Sequence, residues 1–492
     1  PLRLKDHNDY FFPMSSTIEF KFPKRGKMPP LVITWYDGLD NIPSVPEGYG
    51  VSELDPNIPS VGGGKIQPAK LNPGKEIYSK KLTFKGGCRE VGRSGLLVNE
   101  EVLLDYGIKT GDIPEYPLNG MEPKVVLVSH GHLDHCGAVP NLMYQNPEVF
   151  MTPPTADLTF LLGKDTLKLA ERTLSGVSPF DPDDLQKLAN RTQKIDYDKP
   201  FKSHGYRICF YNAGHIPGAS GIFLESESGE SLFYTGDFSL KETRLVPGAA
   251  EFPEADTLIL ESTYFGEEHI PRKETEERFI ESILSTLDRG GTALIPAFAI
   301  GRTQEILMLL DAHGIQAYVD GMGRDVYKLL KKYPEYLKNP ELLDRAFGRT
   351  ISVKDHQRDS ILKEPSVIVT TAGMLNGGPI LYYLSRLYKD PSSKVLLTGY
   401  QVEGTNGRLA LEHRMIETNG DVLALKPRVE QYDFSAHSGD GELKKVVKDF
   451  CRKGTERVFV MHGDKTESFA QWISEEIGVD AYAPANGELF TF

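Results

Sequence analysis

Residues 127–140 read LVSHGHLDHCGAVP: a short apolar strand empties into three histidines and an aspartate within six positions. Core packing does not call for such crowding. Imidazole nitrogen and carboxylate oxygen suit Zn2+ at about 2.0–2.2 Å, and gathering His130, His132, Asp134 and His135 costs little only when a cation sits among them. The fold must therefore present this loop at a strand end, where several side chains turn toward one point.

Three further residues share that setting, each just beyond a β-type run: His215 in FYNAGHIPG, Asp237 in LFYTGDFS and His462 in VFVMHGD. Alone, His215 or Asp237 is equally well a turn residue. Together they supply a third histidine for one metal and a carboxylate able to bridge two. His462 completes a second set with Asp134, His135 and Asp237. Two metals about 3.5–4 Å apart activate water and polarise a phosphoryl oxygen, which points to phosphodiester hydrolysis.

The chain has 492 residues, enough for two or three domains, and its 39% hydrophobic and 25% charged composition is that of a soluble protein. No apolar run approaches the roughly 18–20 residues that span a bilayer, and the start, PLRLKDHNDYFFPM, lacks the apolar stretch of a secretory signal. A cytoplasmic protein without a membrane partner is expected. Cys88, Cys136, Cys209 and Cys451 form no C-x-x-C pair and read as buried free thiols. The net charge of −13 argues against holding nucleic acid on a diffuse basic surface, so an RNA substrate needs local attraction.

Pro43 to Gly74 contains six prolines and six glycines without apolar periodicity and reads as a linker. Before it, TIEFKF and LVITWY alternate like strands. After it, LTFKG, LLVNEEVLLDYG, VVLVSH, RICFYNAG and SLFYTGD are strand-like runs, mostly of hairpin type, and ADLTFLLGKDTLKLAERTL is helical. Beyond Glu261, KETEERFIESILSTLDRGG predicts a helix with Phe279, Ile280, Ile283, Leu284 and Leu287 on one face. TALIPAF, RTQEILMLLDAHG, IQAYVDG, SVIVTT, GPILYYLSRLY and KVLLTGY then intersperse strands with helices, which predicts a parallel α/β sheet. The tail holds helix DGELKKVVKDFC, strand RVFVMHGD and helix ESFAQWISEEIG.

With these residues placed, the chain resembles the metallo-β-lactamase superfamily: Asp105 of VLLDYG, the H-x-H-x-D-H run, His215 and Asp237 match its four motifs. ESTYF with Glu261, FSAHSGD with His437 and MHGD with His462 resemble the three extra motifs of the β-CASP nucleases. IPAFAIGRTQE, VTTAGMLNGGP and LTGYQVEGTNGR are similar to archaeal relatives of the cleavage and polyadenylation specificity factor endonuclease. The resemblance runs from about Gly86 to Phe492.

That resemblance implies an α/β protein: a metallo-β-lactamase αββα sandwich built from residues 86–262 and 437–492, capped by an inserted α/β β-CASP domain over 263–436, with the active site between them. It implies two Zn2+, a single-stranded RNA substrate, cleavage internally or from the 5′ end, and a homodimer. Asp105 would support the metal ligands from behind, and Asp134 and Asp237 would serve catalysis as well as metal binding. His437 would stabilise or protonate the departing oxygen while Glu261 orients it. The plainer alternatives are a turn aspartate at 105 and a structural interface histidine at 437. Ser435 and Gly373 are candidate contacts to substrate phosphate; Arg302 is either a third or a surface charge at a helix N-terminus. His7, His204, His269, His313, His356 and His413 have no comparable company in sequence and are assigned no role.

Residues 1–85 form a β- and loop-rich extension of a different kind. FKFPKRGKMPPLVITWYDGLDNIPSVPEGYG through NPGKEIYSKKLTFKGG is similar to part of the C-terminal region of Gfo/Idh/MocA-type oxidoreductases. Those enzymes bind a nicotinamide cofactor through a G-x-G-x-x-G turn between strand and helix, which these residues lack, so no nicotinamide cofactor is expected. With 12 Lys/Arg against 9 Asp/Glu the extension carries +3, and the remaining 44 against 60 carry −16. The resulting expectation is a dinuclear zinc ribonuclease. Its rivals are a catalytically silent scaffold in an RNA-processing complex and a small-ester metallohydrolase; filled motif positions oppose the first, and a capping domain suited to a threaded polymer opposes the second.

Overall fold

The computed structural model describes residues 80–111, 114–172, 178–418 and 420–492, together with two strands, Ser16–Phe22 and Leu31–Asp37. Those two strands, the runs TIEFKF and LVITWY, pair antiparallel from Ser16 opposite Asp37 to Phe22 opposite Leu31. They belong to a unit over residues 1–76, separate from the unit over 77–492. The Pro/Gly-rich stretch 43–74 lies outside the described residues.

Two seven-stranded sheets form the sandwich. The first runs Leu489–Thr491, Lys81–Gly86, Gly95–Val98, Val102–Leu104, Val125–Leu127, Glu148–Met151 and Thr192–Lys194. It is antiparallel as far as Val102–Leu104 and parallel from there on. In this sheet hairpins join only Lys81–Gly86, Gly95–Val98 and Val102–Leu104, because the chain after Leu104 returns through the longer connections that parallel neighbours require; in the other sheet RICFYNAG and SLFYTGD both pair antiparallel with Ser220–Ser226. The run LLVNEEVLLDYG folds as two strands around Asn99 and Glu100, with φ of 49° and 62°. Two consecutive left-handed residues give the mirror-image turn whose twist matches paired strands.

The second sheet runs Asp480–Tyr482, Arg457–Met461, Thr257–Glu261, Ser231–Tyr234, Ser220–Ser226, Tyr206–Asn212 and Phe201–Ser203. Leu82, Phe84, Leu96, Val125 and Leu127 of the first sheet pack with Ile208, Phe210, Ile222, Leu224 and Phe459 of the second. At about 1.5–3 kcal/mol for each large apolar side chain removed from water, this layer holds the sandwich together. A further core joins the sheets to outer helices such as Pro182–Arg191 and Asp440–Arg452, giving the αββα order.

The chain leaves the sandwich after Thr257–Glu261 and returns with helix Asp440–Arg452, followed by Arg457–Met461, the parallel strand adjacent to Thr257–Glu261. Between them stands a six-stranded sheet, Ile351–Ser352, Tyr318–Asp320, Val367–Thr370, Ala293–Pro296, Lys394–Leu397 and Arg428–Gln431, parallel throughout. Alternate residues face opposite helical layers: Ala293 and Ile295 pack with Phe279, Ile283 and Leu307, whereas Leu294 packs with Ile380, Tyr383 and Leu384. Helix Arg272–Asp288 buries Phe279, Ile280 and Ile283, but Leu284 is 47% exposed, because the buried stripe is narrower than the apolar one. Cys88, Cys136 and Cys209 are buried thiols and Cys451 only partly so. No helix among the described residues is long and apolar enough to cross a membrane.

Candidate metal centre

Five strands deliver their next residues to one edge of the sandwich. His130 follows Val125–Leu127, His215 follows Tyr206–Asn212, Asp237 follows Ser231–Tyr234, His462 follows Arg457–Met461, and Glu261 ends Thr257–Glu261. His132, Asp134 and His135 lie in the short helical turn after His130. That turn packs tightly on residues 105–108: the amides of Tyr106 and Ile108 donate to the carbonyls of His135 and Leu133. At Gly107 a Cβ would stand 1.7 Å from the Asp134 carbonyl oxygen. Gly107→Ala is expected to displace the histidine turn and to destabilise the fold by about 1–3 kcal/mol, seen as a lower melting temperature together with reduced metal content.

The ligand atoms converge in two groups. His130 Nε2 and His215 Nε2 each stand 3.1 Å from His132 Nδ1, and lie 3.5 and 3.8 Å from Asp237 Oδ2. On the other side, His135 Nε2 and His462 Nε2 lie 3.3 and 3.6 Å from Asp237 Oδ1, with Asp134 Oδ2 4.0 and 3.8 Å from the same two nitrogens. Asp237 thus turns one carboxylate oxygen to each group. His135 Nε2 and Asp237 Oδ1 are buried yet have no hydrogen-bond partner. Buried polar atoms are seldom left so, and a cation between them satisfies both. Burial pushes His130, His132 and His215 below the usual imidazole range, keeping them neutral, the form that binds metal. The donor set therefore fits metal ions.

Outer contacts fix the ring orientations. Asp105, fully buried, accepts the Ser129 amide on Oδ1 at 2.7 Å, and on Oδ2 the Ser129 hydroxyl, His135 Nδ1 and the Tyr234 hydroxyl at 2.7–2.8 Å. It is no ordinary turn residue: its carboxylate holds His135 with Nε2 facing inward. His215 Nδ1 donates to the Ala436 carbonyl at 2.8 Å, and His462 Nδ1 meets Ser94 Oγ at 2.9 Å. Asp105→Asn is expected to weaken metal binding by about 10–100-fold, measured by competition with a chromogenic chelator.

His437 stands beside this cluster rather than in either group. Its Nδ1 donates to Glu261 Oε1 at 2.8 Å, and its Nε2 lies 3.8 Å from Asp237 Oδ2. Glu261 is buried and anchored by the Phe238 and Thr263 amides. Burial opposes a charge on His437, but the Glu261 and Asp237 carboxylates more than reverse it, raising the ring to about 9. Ser435 Oγ accepts the His437 amide at 3.2 Å, which places Ser435 beside His437.

The other two sequence candidates fall differently. Gly373 is buried against Phe298, whose amide a Cβ would meet at 3.0 Å, and among the described residues no contact joins it to the cluster. Arg302 begins helix Arg302–Ala312 but is not a surface charge: it is partly buried, and its Nη1 has no partner. Burial and then the nearby Arg272 push its guanidinium down to about 10. Arg272 also has an unpartnered Nη1, while its Nη2 donates to the Ser435 carbonyl at 3.4 Å.

Sequence reading missed Arg272, and it left His269 without a role. His269 hydrogen-bonds Asp433 and the His437 carbonyl, and its ring packs 4.5 Å from Tyr264. No local signal marks these residues, since His269 and Asp433 are 164 positions apart.

Fold and site together define a metal-dependent hydrolase. Known families match in three blocks: the metallo-beta-lactamase superfamily over residues 94–185, the Beta-Casp domain over 303–409, and the Zn-dependent metallo-hydrolase RNA specificity domain over 422–484. Probable RNase MJ4 of Methanocaldococcus jannaschii is 37% identical over 430 residues, 83% of this chain and 99% of that protein. RNase aCSPSF2 of Saccharolobus solfataricus is 37% identical over 425 residues, 83% and 84% of the two chains. Transcription termination factor FttA of Pyrococcus horikoshii is 34% identical over 473 residues, 84% and 72% of the two. A crystal structure of a protein of unknown function from Enterococcus faecalis has a similar fold, with a TM-score of 0.53 at 14% identity over 84% of this chain and 100% of that one. The chain belongs to the metallo-β-lactamase superfamily and, within it, to the β-CASP ribonucleases.

Proposed function

We propose that the chain is a ribonuclease that hydrolyses phosphodiester bonds of single-stranded RNA with two zinc ions. The observation that carries this reading is Asp237, whose two oxygens face separate histidine groups while the His437–Glu261 pair stands alongside. His130, His132 and His215 would hold one ion, and Asp134, His135 and His462 the other, with Asp237 shared. When bound, the pair supplies Lewis acidity toward the phosphoryl group and lowers the pKa of water.

The protein's own groups do the rest. Glu261 accepts from His437 Nδ1 and so fixes the ring with Nε2 toward the cluster. As the P–O bond to the departing sugar oxygen breaks, His437 Nε2 gives that oxygen its proton. Ser435 holds the backbone of this histidine. Arg302 and Arg272 place positive charge beside it in a chain whose overall charge is −13. Arg302→Ala is expected to weaken RNA binding and to reduce the slope of log affinity against log salt by about 0.7, one phosphate's worth for a single strand. Assembly as a homodimer belongs to the same reading, supported by the family likeness.

The test is cleavage of end-labelled single-stranded RNA bearing a 5′-phosphate or a 5′-hydroxyl, before and after metal removal by chelation and after zinc is restored. Cleavage lost on chelation and regained with zinc is the expected result, and the product ladder separates internal from 5′-end cutting. Cleavage that persists in the stripped chain, or no cleavage of any RNA by the zinc-loaded chain, would overturn the reading.

A further inference from the structure

Resting on the reading of His437 as proton donor, we propose that His269 and Asp433 form a positioning dyad that fixes the loop carrying His437. His269 Nε2 lies 3.0 Å from the His437 carbonyl oxygen, and His269 Nδ1 faces Asp433 Oδ2 at hydrogen-bond distance. Each ring nitrogen thus faces an oxygen acceptor, so an N–H on either one finds a partner. Asp433 in turn accepts the Ser435 amide on Oδ1 at 2.9 Å, and Ser435 Oγ accepts the His437 amide at 3.2 Å. The backbone on both sides of His437 is therefore tied to one histidine–carboxylate pair.

The surrounding contacts make this a clamp between two segments. The Asp440 amide donates to the Glu267 carbonyl at 3.0 Å, the Gly266 amide to Asp440 Oδ1 at 2.9 Å, and the Gly441 amide to Glu268 Oε1 at 2.8 Å. Segment 266–269 follows the strand that ends in Glu261, so the residue that orients His437 and the residue that holds its backbone arrive together. Room for the ring comes from Gly439, where a Cβ would meet His269 Cδ2 at 3.0 Å. Tyr264 closes the other side, its ring 4.5 Å from His269 and 5.9 Å from His437. His269 touches no metal-group atom and, on this account, acts only through His437.

A residue that positions a proton donor matters in proportion to how badly the leaving group needs a proton. The test compares ordinary RNA with the same RNA carrying one bridging sulfur in place of the departing oxygen, since a thiolate leaves without protonation. In His269→Ala, kcat on ordinary RNA is expected to fall by about 10–100-fold, with KM and bound zinc unchanged and with cleavage of the sulfur-bridged link within about twofold of native. His269→Gln, whose side-chain amide still has an N–H to offer the His437 carbonyl, is expected to recover much of the loss. Independently of activity, amide hydrogen exchange over residues 433–441 is expected to speed up in the metal-stripped His269→Ala chain and to return toward native in His269→Gln.

Equal losses on both substrates, or unchanged exchange over 433–441, would overturn the dyad. His437→Ala serves as the control that separates the two readings. If that variant loses both substrates equally, the proton-donor role of His437 itself is wrong; if it spares the sulfur-bridged link while His269→Ala does not, only the dyad fails.

Discussion

His437→Ala is expected to lower cleavage of RNA by about 100- to 10,000-fold while leaving the chain's bound metal at the native level. The separation follows from where the ring points. Its Nδ1 is engaged by Glu261 at 2.8 Å; its Nε2 lies as far from Asp237 Oδ2 as His215 Nε2 does, 3.8 Å, but the ring groups only with Asp237 and Glu261 and with none of the histidines of the two sets. Removing the imidazole therefore takes away a proton source without taking a ligand from either group. Zinc counted by elemental analysis alongside single-turnover cleavage tests this. Native cleavage at native zinc would show that the leaving oxygen gets its proton elsewhere, and lost zinc would make His437 a ligand.

Asp237→Ala is expected to cost both metal and turnover, with metal affinity falling by about 100-fold or more, beyond what loss of a supporting residue costs. Among the described residues, Asp237 alone turns an oxygen to each group, Oδ2 toward His130 and His215 and Oδ1 toward His135 and His462. Its charge also matters. Burial disfavours the carboxylate, but the surrounding imidazoles, His135 first, hold it well below the usual carboxylate range. Without it, His130, His132 and His215 on one side and His135 and His462 on the other lose the carboxylate between them. Isothermal titration of zinc into the stripped variant measures the loss; two tight zinc sites in Asp237→Ala would mean that the two groups are independent.

Much of this site is legible in sequence because its residues sit where strands end. A metal ligand just past a β-type run is a local pattern, and the sandwich gathers His130, His215, Asp237 and His462 at one edge from such runs. Support is harder to read. Asp105 stands in a recognisable VLLDYG run, yet its partner Tyr234 comes from 129 positions away, and Ser94 reaches His462 across 368. The His269–Asp433 pair joins two segments that have the whole six-stranded sheet between them in sequence. Gly373 shows the converse: a glycine in a conspicuous run whose place is set by packing against Phe298.

The fold was legible to a similar depth. The alternating block after Glu261 yields a parallel sheet because both layers of helices are apolar on one side and the strands between them are apolar on both. Short strands such as Glu148–Met151 and Thr192–Lys194 escape notice because four and three residues carry too little periodicity, and they become strands only by pairing with a neighbour already in place. Leu284 matches the apolar stripe of its helix and is still 47% exposed, while Phe279, Ile280 and Ile283 take the buried positions. In each case tertiary contact, not local preference, decides.

The most direct test of the account is a titration of zinc into the metal-stripped chain with RNA cleavage and bound zinc measured on the same samples. The account predicts no cleavage without zinc and full cleavage only as occupancy reaches two zinc ions per chain. Full cleavage at one zinc per chain, or cleavage independent of zinc, would contradict the paired site built around Asp237.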